Sequence, residues 1–323
     1  MISQDNSEDR RRFLQSGVAV AAGAAAVPFI NTPAASSIPP GPKVDSSKMP
    51  MVQLGGRTVS RLILGANPIW GFSHRGQLMK QLMQDWNTPD RVVETLQHAE
   101  RCGITAWQTS LHYHFKEDWV RYKENGGTMD LILQIHPYPT KGVETSWWEL
   151  RKEMLALKPL ALVHLGVDTD YYFDRDEIDL VKDTVKRLKD DGLPVGCASH
   201  DPKYITRMDE EGFEADYFTC CFYNVMKSQA EWQREAGIRP MGEVYEAGMP
   251  DVMTAVMRQV SRPCIGYKIL AAGRIDRSAS VEKAFKYALD NIKITDGLLV
   301  GMFPKFTDQI AENANYIIQH GQV

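Results

Sequence analysis

The chain has 323 residues, with 37 Lys and Arg against 41 Asp and Glu, a formal net charge of −4 and 43% apolar residues. That balance offers no basic face for nucleic acid. The five cysteines, Cys102, Cys197, Cys220, Cys221 and Cys264, are too few and too scattered for a disulfide scaffold, and four of them fall inside apolar runs, where they read as small buried hydrophobes.

At the N-terminus, Arg10, Arg11 and Arg12 precede Phe13 and Leu14, then an alanine-rich apolar stretch from Gly17 to Ile30. This resembles a twin-arginine export signal, which implies passage through the twin-arginine export machinery as a folded protein and a periplasmic or extracytoplasmic location. The apolar core is short against the ~20 residues of a bilayer span. Residues 1–35 are therefore expected as signal, 36–50 as a Pro- and Ser-rich linker or tether, and 51–323 as one folded domain. No later segment is long and apolar enough to cross a membrane, so the mature chain is expected to carry no stable transmembrane domain.

Beyond the linker, apolar runs end at Ala66, Thr109, His136, Gly166, Ser199, Asn224, Leu270 and Met302. Stretches of helical period separate them: RVVETLQHAERCG, EDWVRYKENGG, WWELRKEMLALKP, EIDLVKDTVKRLKDDG, KYITRMDEEGF, MPDVMTAVMRQVSRP and VEKAFKYALDN, with DQIAENANYIIQH after the last run. Eight strand–helix units predict an α/β fold closed as a (β/α)8 TIM barrel. A doubly wound open sheet is the alternative, and no G-x-G-x-x-G follows the first run to support it.

Barrel chemistry lies at the C-terminal strand ends, which selects Asn67, Gln108, His136, His164, Ser199, His200, Asn224 and Lys268. The three histidines end consecutive runs, so they read as metal ligands, proton carriers or groups that hold a pocket in shape. Asp168 and Asp170 follow the fourth run and read first as caps of the next helix, second as acid–base groups. Trp70 is the best aromatic candidate for a sugar-binding cleft, whereas Trp147 and Trp148 are expected to pack.

At these positions the sequence resembles an aldo-keto reductase over most of residues 51–318. VQLGGRTVSRLILGAN is similar to that family's first hairpin and strand, and AERCGITAWQTSLHY to the segment carrying its catalytic Asp and Tyr, matched by Gln108 and Tyr113. LILQIH resembles the strand ending in the catalytic Lys, replaced by His136, and LALVHLGVD the strand bearing the active-site His, matched by His164. VGCASHDPKYITRM resembles the segment that holds the nicotinamide amide, here through Ser199 and His200. GYKILAAGRI resembles the seventh strand, which makes Tyr267 the candidate to stack on nicotinamide, with Lys268 and Arg274 beside it. LLVGMFPKFTDQIAENANYI resembles the eighth strand and the helix whose Gln309, Glu312 and Asn313 would approach the adenine ribose. The resemblance implies NADP or NAD as cofactor, with Lys305 and Arg274 the available cations for its phosphates.

The departures fall on the catalytic tetrad. A Lys–Asp pair normally lowers the Tyr pKa from near ~10; here it is exchanged for His136 and Gln108, a neutral pair expected to form a hydrogen-bonded relay. Three functions follow as expectations: an exported oxidoreductase with tightly held NAD(P) acting on a small carbonyl, alcohol or sugar-like substrate; a non-catalytic binding barrel; and a metal-dependent lyase, isomerase or hydrolase using His136, His164 and His200.

Overall fold

The computed structural model describes residues 37–112, 114–138 and 146–322. A hairpin, β1 (Met51–Leu54) and β2 (Arg57–Ser60), precedes eight parallel strands: β3 (Leu62–Gly65), β4 (Ala106–Ser110), β5 (Asp130–Ile135), β6 (Ala161–His164), β7 (Val195–Ser199), β8 (Tyr217–Cys221), β9 (Cys264–Tyr267) and β10 (Gly297–Gly301). They close in the order β10-β3-β4-β5-β6-β7-β8-β9, so all eight apolar runs are strands of a (β/α)8 barrel.

Alternation along each strand makes two cores. Ile63, Ala106, Ile132, Ala161, Val163, Ala198, Tyr217 and Ile265 fill the lumen together with Val52, Leu54 and Val59 of the hairpin. The hairpin turn at Gly55 runs against Pro194 and Asp216, which precede β7 and β8. The hairpin thus plugs the N-terminal end of the barrel and leaves the C-terminal end for chemistry. The opposite strand faces, including Leu64, Trp107, Leu133, Leu162, Cys197 and Phe218, pack under the helices.

The eight helical stretches appear as α3 (Pro89–Arg101), α4 (Phe115–Glu124), α5 (Trp147–Leu155), α7 (Ile178–Lys189), α8 (Pro202–Glu210), α10 (Met249–Gln259), α11 (Ser278–Asn291) and α12 (Gln309–His320). Helix α7 shows the logic: Ile178, Val181, Thr184, Val185 and Leu188 recur at helical spacing and are buried, each large aliphatic side chain contributing about 1.5–3 kcal/mol. Among the described residues four further α-helices lie in the loops: α1 (Asn67–Trp70), α2 (Gln77–Trp86), α6 (Gly166–Phe173) and α9 (Gln229–Ala236).

Three local expectations change. The segment expected as a tether is laid on the barrel from Ile38 onward: Ile38 N–H donates to Glu94 on α3, and Lys43 accepts from Asn315 on α12. Trp70 lines no open cleft; it is 3% exposed and donates from Nε1 to Thr109 Oγ1 at 2.9 Å. The seventh run stops at Tyr267, three residues before Leu270, because Lys268 turns into the left-handed region at φ 59°. Trp147 is fully buried and Trp148 lies under the Arg187 guanidinium, both packing as expected. All five cysteines are buried and free.

The closing seam of the barrel is fastened by a charge. Arg61, 2% exposed between β2 and β3, donates to the carbonyls of Asp296 (2.9 Å), Gly321 (2.8 Å) and Lys293 (3.2 Å), tying the first barrel strand to the end of the chain. Among the described residues no helix is long and apolar enough to cross a membrane.

Candidate active site

The site is organised by the first turn of α6. Its residues Asp168, Thr169 and Asp170 are buried, and each meets a different one of the three strand-end histidines. His136 Nδ1 donates to Asp168 Oδ2 at 3.1 Å, His164 Nδ1 to Thr169 Oγ1 at 2.8 Å, and His200 Nδ1 to Asp170 Oδ2 at 2.7 Å. A carboxylate can only accept, so His136 and His200 carry their protons on Nδ1. The Thr169 hydroxyl proton goes to the Leu165 carbonyl, which leaves its oxygen to accept from His164. Helical residues are about 100° apart, so Asp168 and Asp170 point to opposite sides of α6, one toward β5 and one toward β7. Gly166 permits this approach: a β-carbon there would sit 3.3 Å from the His200 ring.

The three imidazoles occupy different surroundings. His136 follows Ile132 and Gln134 on the inward row of β5, and His200 follows the inward Ala198 on β7. His164 shares its strand face with Leu162, which belongs to the core under the helices. It therefore lies outside the lumen, 0% exposed, with Nε2 unpartnered among the described residues. Burial pushes its pKa down to about 4, so it is neutral. His200 is also lowered by burial, opposed by Asp170. No group of three or more metal-type ligands assembles among the described residues; the nitrogens of the three histidines are distributed, not gathered.

The expected Gln108–His136 relay is not formed. Strand register pairs Gln108 with Ile132 and Ser110 with Gln134, so His136 stands level with His112 and well above Gln108. The two rings are 6.1 Å apart, edge to face, and burial followed by the proximity of His136 pushes His112 down to about 4. Gln108 is 2% exposed, and neither amide atom has a partner among the described residues. The end of β5 thus carries an imidazole–carboxylate dyad, His136–Asp168. Tyr113 lies outside the described residues.

Among the expected cofactor contacts, Tyr267 sits on the inward row of β9, edge-on to His200 at 5.5 Å, with Lys268 Nζ 5.2 Å from its ring. Ser199 is turned to the outer face, where its hydroxyl donates to Asp170 Oδ1 at 2.5 Å. Arg274 donates to the carbonyls of Ala271 and His74 and stacks 3.7 Å from the Tyr245 ring. Gln309 accepts from the Phe303 N–H, Asn313 is 3% exposed, and Glu312 is half-buried, its carboxyl raised by that burial. Lys305 lies 5.7 Å from the Phe306 ring.

A strap crosses the mouth. The segment between Gly71 and Gly76, both in the left-handed region, places His74 Nδ1 2.7 Å from Glu243 Oε1 and Arg75 Nη1 2.6 Å from the Gly273 carbonyl. It thereby joins the β3 loop to those after β8 and β9. Beside the mouth lies a cavity of about 390 Å³ lined by Asp201, Lys203, Asn224, Lys227, Trp232 and Met249. Its two lysines are paired, Lys203 with Asp201 and Lys227 with Glu235.

Sequence reading missed Asp168 and Asp170 as histidine partners and missed the strap. The signal for the former was two acids two positions apart, four and six residues after a strand ending in His164.

The fold and site define the class: a (β/α)8 barrel with its ionisable groups at the C-terminal mouth. No family model and no curated protein sequence matches the chain. Among solved structures, apo Gox0644 matches at 13% identity over 85% of this chain and 94% of its own, with a TM-score of 0.50. An aldo/keto reductase from Brucella melitensis matches at 11% identity over 83% and 92%, TM-score 0.47. A point mutant of Gox0644 in complex with NADPH matches at 12% over 83% and 88%, TM-score 0.49. At these identities the likeness is one of fold.

Proposed function

We propose that this chain is an exported oxidoreductase of the aldo-keto reductase type, taking NADP or NAD at the barrel mouth and acting on a small carbonyl, alcohol or sugar-like substrate. The observation that carries this reading is the buried His136–Asp168 dyad on the inward row at the end of β5, where the resemblance expects a charged group governing proton delivery. A carboxylate behind an imidazole fixes its tautomer and stabilises the imidazolium once a proton arrives.

The residues fit a nicotinamide at the reacting end. Tyr267 offers a ring at the rim, His200 Nε2 faces away from Asp170, and Lys268 adjoins both. At the phosphate end Lys305 is available, and Arg274 becomes so once it leaves the His74 carbonyl. Bound there, the cofactor would supply or accept a hydride. The protein's own part is the proton: His136 takes it up or returns it on Nε2 while Asp168 holds Nδ1, and Tyr113 is the expected hydroxyl between His136 and substrate.

The test is the protein purified through its export route, assayed for bound nicotinamide by absorbance and for metal by elemental analysis. Stoichiometric nicotinamide without metal is expected. Metal held by the histidines would replace this reading with a metal-dependent one, and neither would favour a binding barrel.

A further inference from the structure

The first turns of three helices meet around the cavity of about 390 Å³ beside the mouth. Pro202 and Lys203 open α8, Glu231 lies in the first turn of α9, and Met249 opens α10. Asp201 and Cys221 line it on the barrel side; Asp201 follows His200 in sequence, and Cys221 pairs in register with Tyr267. The volume falls within the ~300–1,000 Å³ of small-molecule sites. One polar group on its wall lacks a partner. Trp232 is only 7% exposed, yet its indole Nε1–H meets no acceptor among the described residues. An indole nitrogen can only donate, so burial leaves it in need of an acceptor oxygen.

The rest of the lining mixes donors with acceptors and is close to electrical balance. Glu231 spends Oε2 on the Ser228 N–H and hydroxyl, and Glu246 spends Oε1 on the Gly248 N–H, which leaves the other oxygen of each open among the described residues. The Lys203 and Lys227 ammoniums, each paired with one carboxylate, carry three donors apiece. Asp201, Glu231, Glu235 and Glu246 thus face two ammoniums and three helix N-termini, each of these ends worth roughly half a positive charge. An anionic ligand would meet all four acids, and an amine would meet the lysines and the positive helix ends. A neutral molecule with many hydroxyls meets neither obstacle, since each hydroxyl both donates and accepts. Phe222, Met249 and Val252 add apolar surface for its C–H faces.

We propose that this cavity is a binding site for a neutral sugar. Trp232 Nε1 donates to one of its oxygens, Lys203 and Lys227 donate to others, and Glu231 and Glu246 accept from its hydroxyls. The site asks for no cofactor and no proton transfer, so it stands or falls independently of the oxidoreductase reading.

The experiment titrates the full exported protein, without added nicotinamide, with glucose, galactose, mannose, xylose and N-acetylglucosamine, followed by saturation-transfer difference NMR, with gluconate and glucosamine as charged controls. At least one neutral sugar is expected to bind with a Kd on the order of 1 mM or tighter, ahead of both controls. Val252→Trp fills the cavity from a position that is 56% exposed, so it should weaken that binding by about tenfold or more while thermal melting stays unchanged. Trp232→Phe keeps a ring and removes the donor, and should weaken it about three- to tenfold. Failure of every neutral sugar to bind the wild type would overturn the site, as would a preference for gluconate or glucosamine, and neither result depends on a variant's folding. Binding left unchanged by either substitution would place the sugar elsewhere and overturn the assignment equally.

Discussion

His136 Nδ1 and Asp168 Oδ2 lie 3.1 Å apart with both side chains more than nine-tenths buried, a donor–carboxylate contact largely withdrawn from water. Replacing Asp168 by Asn keeps the shape and removes the charge, and the amide can present its N–H to Nδ1, which inverts the tautomer. Turnover should fall by on the order of 10²–10⁴ with little change in KM. A rise in KM alone would show that Asp168 only shapes the pocket.

The pH profile of stability should have two arms of opposite sign. His164 and His112 are held at about 4 by burial; since their folded pKa lies below the unfolded value near 6.5, their contribution is present above 6.5 and is lost as pH falls toward 4. His98 is raised to about 9, chiefly by its hydrogen bond to Asp308, so its contribution is complete below 6.5 and lost as pH rises to 9. Urea unfolding from pH 5 to 10 should show the alkaline loss, on the order of 2 kcal/mol, and His98→Gln should abolish that arm while leaving the acid arm.

Thr169→Val deletes the hydroxyl partner of His164 Nδ1 from a fully buried imidazole. A destabilisation of about 1–3 kcal/mol is expected, read from the urea midpoint, with both histidine–aspartate dyads retained. An unchanged midpoint would mean that the ring finds another acceptor.

Arg75→Ala should loosen the strap. Its guanidinium holds the Gly273 carbonyl and Asp276 at an exposed site, so stability should change by less than ~1 kcal/mol. Proteolytic cleavage between residues 71 and 76 should become faster, and NADPH association should rise several-fold, because Arg274 parts more readily from His74. Unaltered association kinetics in stopped flow would separate the strap from ligand entry.

Much of the scaffold was legible because it rests on local periodicity: each apolar run from SRLILGAN to DGLLVGM is a strand of the barrel. The pairing of Asp168 with His136 and of Asp170 with His200 was not, since each joins residues about 30 positions apart across a strand neighbourhood that only closure creates. Reading the two acids as caps was natural for short polar residues after a strand, and it concealed α6. Residues 38–49 looked like a tether because Pro and Ser mark loops, while the few apolar residues that seat them, Ile38 and Val44, are too sparse to form a pattern. Gln108 and His136 suggested a relay by analogy with a charged pair; register, not composition, separates them.

Because Asp168 and Asp170 rise from one helical turn, the spacing between the two histidine–aspartate dyads is encoded in chain length and not in loop conformation. Adding or removing one residue between His164 and Asp168 would swing both carboxylates by about 100° and disconnect both rings at once. The heptapeptide HLGVDTD, flanked by a histidine at the preceding strand end and Ser-His at the following one, is thus a ruler that can be sought in other barrels, where its presence would forecast the same two dyads.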